Sequence, residues 1–362
     1  MSPHRTEFEP TQPIPIADLH SDLPLALLKR RFDGSDGSLR TEWLPRLRAG
    51  GVTIVVCAVY IDSIYLPEGA LRRAVQLVDA LLEEIAACQD EIELALSRAD
   101  VARINGEGKI AALLAFEGAE PLGQDLSALR LFHRLGVRML SFAWMRRTAF
   151  GDGAWENDSR GGLTRLGRQA IHEMNRLGII ADVSHASDRT TWDVLETSAR
   201  PVIASHSNAR ALLDHPRNLT DAMITAIAAS GGLVGIVAVA GYIADNNATI
   251  ARWVDHLDHI VDLAGIDHVA IGCDFYDEII AMNASLEIPA WNPGGGLGQL
   301  SFAGMKSWED LPALTSELVR RGYSDADLRK ITTGNFMRVM ENVLASDGQH
   351  SFYSTSGPLT DD

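Results

Sequence analysis

Apolar, β-branched runs of strand length alternate along this chain with amphipathic helical segments, and that alternation constrains the fold more than any other feature. Eight runs occur, at residues 15–20 (PIADLH), 52–59 (VTIVVCAV), 110–118 (IAALLAFEG), 137–144 (VRMLSFAW), 179–185 (IIADVSH), 201–206 (PVIASH), 233–239 (LVGIVAV) and 268–275 (HVAIGCDF). Between them lie helical segments such as 71–88, 163–178 and 249–265. Eight βα units point to an α/β fold of one domain, the closed (β/α)8 TIM barrel, with its active site at the C-terminal face of the strands. An open doubly wound sheet would favour a glycine-rich first turn for phosphate, whereas the first run here ends in HSD. The barrel is assigned to residues 14–346, with an extension at 1–13 and a polar tail at 347–362. A long loop, 276–307, follows the eighth run and contains EIPAWNPGGGLGQ.

Charge narrows the partners. Lys and Arg number 32 against 48 Asp and Glu, a net charge of −16, and such a surface repels phosphate backbones and anionic lipid. Neither nucleic acid nor a membrane is expected as a partner. The first twenty residues hold no apolar segment, and the longest apolar stretch, 231–244, is too short to span a bilayer. Three scattered cysteines, Cys57, Cys88 and Cys273, supply neither a disulfide framework nor a Cys-rich zinc site. The expectation is a soluble, cytoplasmic protein.

The informative residues are ionisable and fall at the C-terminal ends of the runs. His20 and Asp22 close the first, Glu117 the third, His185 the fifth, His206 the sixth and Asp274 the eighth. In a (β/α)8 barrel these ends meet at one mouth. His20 and Asp22 are two apart in an extended segment, so both side chains should leave on one side, with Leu19 and Ser21 on the other. Taken alone, that pair also reads as an N-cap aspartate beside an incidental histidine. A carboxylate at the end of AALLAF, as at Glu117, is costly unless paired or metal-bound.

Three histidines and two carboxylates exceed what one catalytic zinc takes, and they suit two metals. With Glu117 bridging, one ion takes His20, Asp22 and Glu117, and the other takes Glu117, His185 and His206. Nitrogen and oxygen donors without thiolate favour Zn2+, with Mn2+, Co2+ or Fe2+ as substitutes. A hydroxide bridging two such ions would hydrolyse a polarised carbonyl, so Glu117 counts as catalytic as well as ligating. Asp274 is left free as general base and then acid, or else serves as a further ligand or a structural carboxylate. Arg217, in DHPRNLTD after the sixth run, is either a clamp for a substrate carboxylate or a solvated loop arginine.

These residues sit within longer matches. LHSD at 19–22, FEG around Glu117, LTRLGRQAIHEMNRLGIIADVSH ending at His185, PVIASHSNAR around His206, RN at 217–218 and IGCDF around Asp274 together resemble the renal or membrane dipeptidase family, peptidase family M19. The likeness runs from about Asp18 to Leu344. It implies a binuclear zinc dipeptidase of the amidohydrolase-like barrels, often tolerant of a D-residue at the C-terminal position. It further implies that Arg217 holds the terminal carboxylate of a small dipeptide, that Asp274 moves the proton, and that the chain forms a homodimer. One departure stands out. Mammalian members carry a histidine after the fourth strand, where this chain has Trp144, whose indole offers one donor and no acceptor. The alternative is a binuclear hydrolase of the same barrel acting on a lactone or a non-peptide amide; a non-catalytic binding protein is a further rival.

Other features are set aside. His256 and His259, three apart on a helical segment, read as a solvated face. His172 opens HEMN but no HExxH follows, GGGLG at 294–298 bridges no strand and helix, and Cys57 and Cys273 read as small core residues.

Overall fold

Nine short segments of the described residues form strands, all parallel: β1 (Ile16–Ser21), β2 (Val52–Tyr60), β3 (Ile92–Leu94), β4 (Ile110–Glu117), β5 (Val137–Ser141), β6 (Ile180–Asp182), β7 (Val202–Ile203), β8 (Val234–Ile236) and β9 (Val269–Ile271). The computed structural model describes residues 14–35, 37–275 and 301–344. The extension at 1–13, most of the 276–307 loop with Trp291 and Gly294–Gly298, and the tail lie outside the described residues. The sheet runs β7-β6-β5-β4-β2-β1-β9-β8, and a parallel bridge between Ala204 and Val234 closes it. At that seam the Ala204 N–H donates to Leu233 O (3.0 Å), and the Gly235 N–H donates to Ala204 O (2.7 Å). Gly235 and Gly272 are required there, because a Cβ on either would run into the Ser205 carbonyl. The eight-stranded barrel is therefore the architecture anticipated from the eight runs.

The extra strand is β3. It pairs with Ile110–Ala112 at the start of β4, while β5 takes over from Leu114 onward. Three residues, of which only Ile92 is buried, leave little periodic signal in the sequence. β6 and β7 are also shorter than their apolar runs, so His185 and His206 sit in the turns just beyond the last paired residue.

The barrel interior is filled by alternating residues, among them Leu19, Val56, Leu113, Met139, Ile180 and Ile203. The same cluster takes in Phe336, Val339 and Met340 of the last described helix, Asn335–Val343. Asn335 Nδ2 donates to the Ile266 and Val269 carbonyls at the start of β9, so this helix covers the N-terminal mouth. Chemistry is thereby left to the opposite end. A larger apolar cluster joins the outer strand faces to the helices, including Ala70–Ala87, Arg165–Leu177 and Ile250–Ala264, which match the anticipated helical segments. Among the described residues, no helix is long and apolar enough to cross a membrane.

Candidate metal centre

Every charged side chain singled out at a run's end reaches the same mouth. Glu117, the last residue of β4, stands at its centre. Its Oε2 lies 3.7 Å from His20 Nε2, and its Oε1 lies 2.7 Å from His185 Nε2 and 3.6 Å from His206 Nε2. The ligand atoms of His20, Asp22 and Glu117 lie within 4.8 Å of one another, as do those of Glu117, His185 and His206. Both proposed ligand groups are thus assembled, and they share the glutamate. The chain turns away directly after it at Gly118, whose φ of +97° is one that side chains rarely adopt.

The local backbone departs from simple alternation at β1. Leu19 faces the barrel interior and His20, its neighbour, faces the mouth, because the register slips by one residue between Asp18↔Val55 and Ser21↔Cys57. The expectation that Leu19 turns away from His20's side is corrected by that slip. Asp22 is not extended either; it occupies the N-cap position of the helix Leu23–Phe32 with φ −78° and ψ 26°. It makes no side-chain cap bond, and its Oδ1 is buried without a partner among the described residues. Asp22 thus takes the N-cap place that the alternative reading gave it, but its carboxylate does not cap the helix. His185 (φ +69°) and Asp274 (φ +56°) adopt the left-handed region that non-glycine residues seldom enter, strain that clusters at functional sites.

Burial sets the electrostatics of the mouth. Burial pushes the carboxyls of Glu117 and Asp22 well above their usual range, with neighbouring carboxylates adding to the effect. Burial likewise raises Asp274 to about 6, against the opposing pull of Arg217. The same burial, with Arg217 contributing, lowers His20 to about 3 and drives His185 and His206 well down. The lowered imidazoles keep ring lone pairs free for a cation, and a cation bound there would draw the crowded carboxyls back to their ionised form. His185 Nε2 and His206 Nε2 lie 2.9 Å apart, and His20 Nε2 is buried without a hydrogen bond among the described residues. An all-nitrogen and oxygen donor set of this kind fits divalent zinc or its neighbours.

Cation binding should consequently be a large part of this protein's stability. Treatment with a strong chelator is expected to lower the melting temperature by on the order of 10 °C, since a site saturated at a thousand times its Kd adds about 4 kcal/mol. Adding Zn2+ back should restore it. A melt indifferent to both would count against the site.

Asp274 and Arg217 complete the mouth. Asp274 Oδ1 lies 3.8 Å from His20 Nε2, and the ligand atoms of His20, His206 and Asp274 also fall within 4.8 Å of one another. Arg217 is buried; its guanidinium donates to Ser207 Oγ (3.2 Å) and His206 O (2.8 Å) and stands 5.4 Å from the Tyr242 ring centre. Its Nε is buried without a partner among the described residues, and its charge acts on His20, Glu117 and Asp274. A solvated loop arginine this is not.

Trp144 walls one side, its ring centre 5.8 Å from His185, 5.2 Å from Tyr60 and 5.1 Å from Trp155. The Arg146 guanidinium sits 5.1 Å from the Trp144 ring centre and is held by Glu120 Oε1 (3.0 Å). Sequence reasoning singled out Trp144 but not Arg146 and Trp155 of the same connection after β5, nor Tyr60 at the end of β2.

Two aspartates behind the candidate ligands also went unremarked. Asp18 Oδ1 accepts from the Cys273 N–H (2.8 Å) and Oδ2 from Trp308 Nε1 (2.6 Å), tying β1 to the residue before Asp274. Asp182 lies behind His206. A signal was present in both cases: IAD recurs in β1 and β6, and a carboxylate inside an apolar strand must be satisfied. His256 corrects the opposite error. It is buried, accepting from the Ala209 N–H at Nδ1 (3.1 Å) and donating from Nε2 to Ile243 O (3.0 Å), whereas His259 pairs with Asp221 (2.8 Å).

The chain is similar to known proteins over most of its length. The family model described as membrane dipeptidase (peptidase family M19) matches residues 9–289 and 295–352. Dipeptidase tcpJ of Claviceps purpurea is 31 % identical over 83 % of this chain and 68 % of its own length. Dipeptidase 3 of Mus musculus is 33 % identical over 91 % of this chain and 64 % of its own length, so the chain spans about two-thirds of either relative. A metallopeptidase of Rhodobacter sphaeroides, solved with a phosphinate mimic of L-Ala-D-Ala, superposes with a TM-score of 0.80 at 28 % identity, covering 92 % of this chain and 100 % of that one.

Proposed function

The chain belongs to the membrane dipeptidase family, peptidase family M19, and from that premise we propose that its barrel mouth hydrolyses the peptide bond of dipeptides with two divalent cations, zinc by preference. The carrying observation is Glu117, whose two oxygens divide between His20 on one side and His185 with His206 on the other. His20 and Asp22 would hold the first cation, His185 and His206 the second, with Glu117 common to both. Cations so placed supply hydroxide near neutral pH and polarise the carbonyl under attack.

The remaining steps belong to side chains. Arg217 presents a buried guanidinium edge to the substrate's terminal carboxylate, and two parallel hydrogen bonds would fix that end. Because that carboxylate belongs to the last residue, a longer peptide has none at the required distance from the scissile bond. Asp274 takes a proton during attack and delivers it to the departing amine. Trp144, Tyr60 and Trp155 line the wall beside His185, where a flat apolar surface excludes water and receives a side chain. Acceptance of a D-residue at the C-terminal position is part of this reading. The complex of the Rhodobacter sphaeroides protein with its L-Ala-D-Ala mimic supports it.

The test is metal analysis of the purified protein joined to a hydrolysis screen of L-Xaa-D-Xaa and L-Xaa-L-Xaa dipeptides, with lactones and cyclic amides alongside. Two equivalents of metal and turnover of dipeptides are expected. Turnover confined to lactones or cyclic amides would replace the substrate class and keep the metal centre. Arg217→Met should lower kcat/KM for dipeptides by about 100-fold, since it strips one partner from a buried charge pair. Dipeptide amides, which lack the carboxylate, should lose far less. Equal losses for both substrates would remove Arg217 from its assigned role.

A further inference from the structure

Behind His206 lies a chain of hydrogen bonds that reaches Asp182 on β6. Asp182 Oδ1 accepts from the backbone N–H of Ser184 and of Ser205, both at 2.9 Å, and its Oδ2 accepts the Ser205 hydroxyl proton. Ser205 Oγ lies 2.7 Å from His206 Nδ1 and 3.2 Å from Ser184 Oγ, and Ser184 Oγ accepts from the His206 N–H at 3.0 Å. Asp182, Ser184, Ser205 and His206 are all buried, so water does not compete for these bonds.

A hydroxyl has one proton and two lone pairs. Ser205 commits its proton to Asp182, a carboxylate already held by two backbone donors. Toward His206 it can then only accept, so the imidazole proton must sit on Nδ1. That leaves the Nε2 lone pair, 3.6 Å from Glu117 Oε1 and 2.9 Å from His185 Nε2, open toward the mouth. We propose that Asp182 and Ser205 are positioning residues that lock His206 in the Nδ1–H tautomer and so ready its Nε2 to ligate a cation. The proposal rests on the metal-centre reading above and extends it to two residues that touch no substrate. Its physical precedent is general: a ligating histidine is oriented by the partner of its other ring nitrogen, and loss of that partner costs roughly 10- to 100-fold in metal affinity.

Asp182→Asn separates orientation from packing because it preserves shape. The carbonyl oxygen of the new amide can keep the two backbone donors, which puts its NH2 group where Oδ2 stood. That group donates to Ser205 Oγ, freeing the serine proton to donate to His206 Nδ1 and drive the ring proton to Nε2. The experiment has two arms. In the first, 15N shifts of the His206 ring are read in chelator-treated protein labelled at histidine, for wild type and Asp182→Asn. Wild type should show Nδ1–H, and Asp182→Asn a shift toward Nε2–H. A wild-type ring protonated on Nε2, or identical spectra, would overturn the lock whether or not the protein is a dipeptidase.

In the second arm, Zn2+ affinity is measured by chelator competition for Asp182→Asn, Ser205→Ala and the double variant. Each single change should weaken binding of one of two ions by about 10- to 100-fold, and the double should be no weaker than the worse single, since both act through one bond. Wild-type affinity in Asp182→Asn, or additive losses in the double, would refute the relay. Wild type binding no Zn2+ while its His206 is Nδ1–H would instead sink the metal-centre reading and leave the tautomer lock standing.

Discussion

Replacing Glu117 by Gln should abolish measurable dipeptide hydrolysis, with a loss beyond about a thousandfold, and reduce bound metal from two equivalents toward one. The amide keeps one oxygen and turns the other into an NH2 group, which has no lone pair to offer a cation. One of the two ligand groups around His20 and around His185 with His206 must therefore lose its shared carboxylate oxygen. The substitution also removes a negative charge from a site that holds neutral imidazoles against carboxylates. This exceeds the roughly 10- to 100-fold typical of losing a partner one shell further out. Metal content by elemental analysis and initial rates on one dipeptide check it together. Two tightly held equivalents in Glu117→Gln would end the shared-carboxylate reading. Glu117→Asp offers a finer comparison, since it retains the charge but shortens the reach. If spanning both groups is the requirement, it should resemble Gln more than wild type.

The sequence carried the barrel because parallel strands buried on both faces must be apolar throughout, and eight such runs stand out against their amphipathic helices. It pointed to the five candidate ligands for a related reason. A histidine or carboxylate ending an apolar run has few alternatives to pairing or ligation; His20, Glu117, His185 and His206 stand at run ends, and Asp22 lies two residues past the first. What depended on contacts between distant segments was not legible. β3 is three residues long and acquires meaning only against β4. His256 looked like part of a solvated helical face because helix periodicity carries no information about Ile243 and Ala209, which arrive to bury it. The aromatic wall is assembled by Tyr60 at the end of β2 together with Trp144 and Trp155 from the single connection after β5. Asp182 is the intermediate case: its cost inside an apolar strand was visible, while the serine that satisfies it lies 23 residues on.

Asp274→Asn should separate proton transfer from ligation. The residue follows β9 in a left-handed backbone conformation, and its N–H points to the His20 carbonyl at 3.3 Å. Its carboxyl is 14 % exposed and raised to about 6 by burial, close to the range in which a group both accepts and returns a proton efficiently. The amide can do neither. If Asp274 moves the proton, kcat should fall by about 10²- to 10⁴-fold with metal content and KM little changed. The sign of the pH effect follows. A base must be ionised to act, so wild-type kcat/KM should decline as pH falls through the carboxyl's pKa. Bound cations favour the carboxylate form, which places that acid limb at or below about pH 6. The limb should vanish from the residual activity of Asp274→Asn. Because Asp274 also stands within ligating distance of His20 and His206, the competing role makes a different forecast: loss of a metal equivalent together with activity. Elemental analysis of that one variant distinguishes a proton carrier from a sixth ligand.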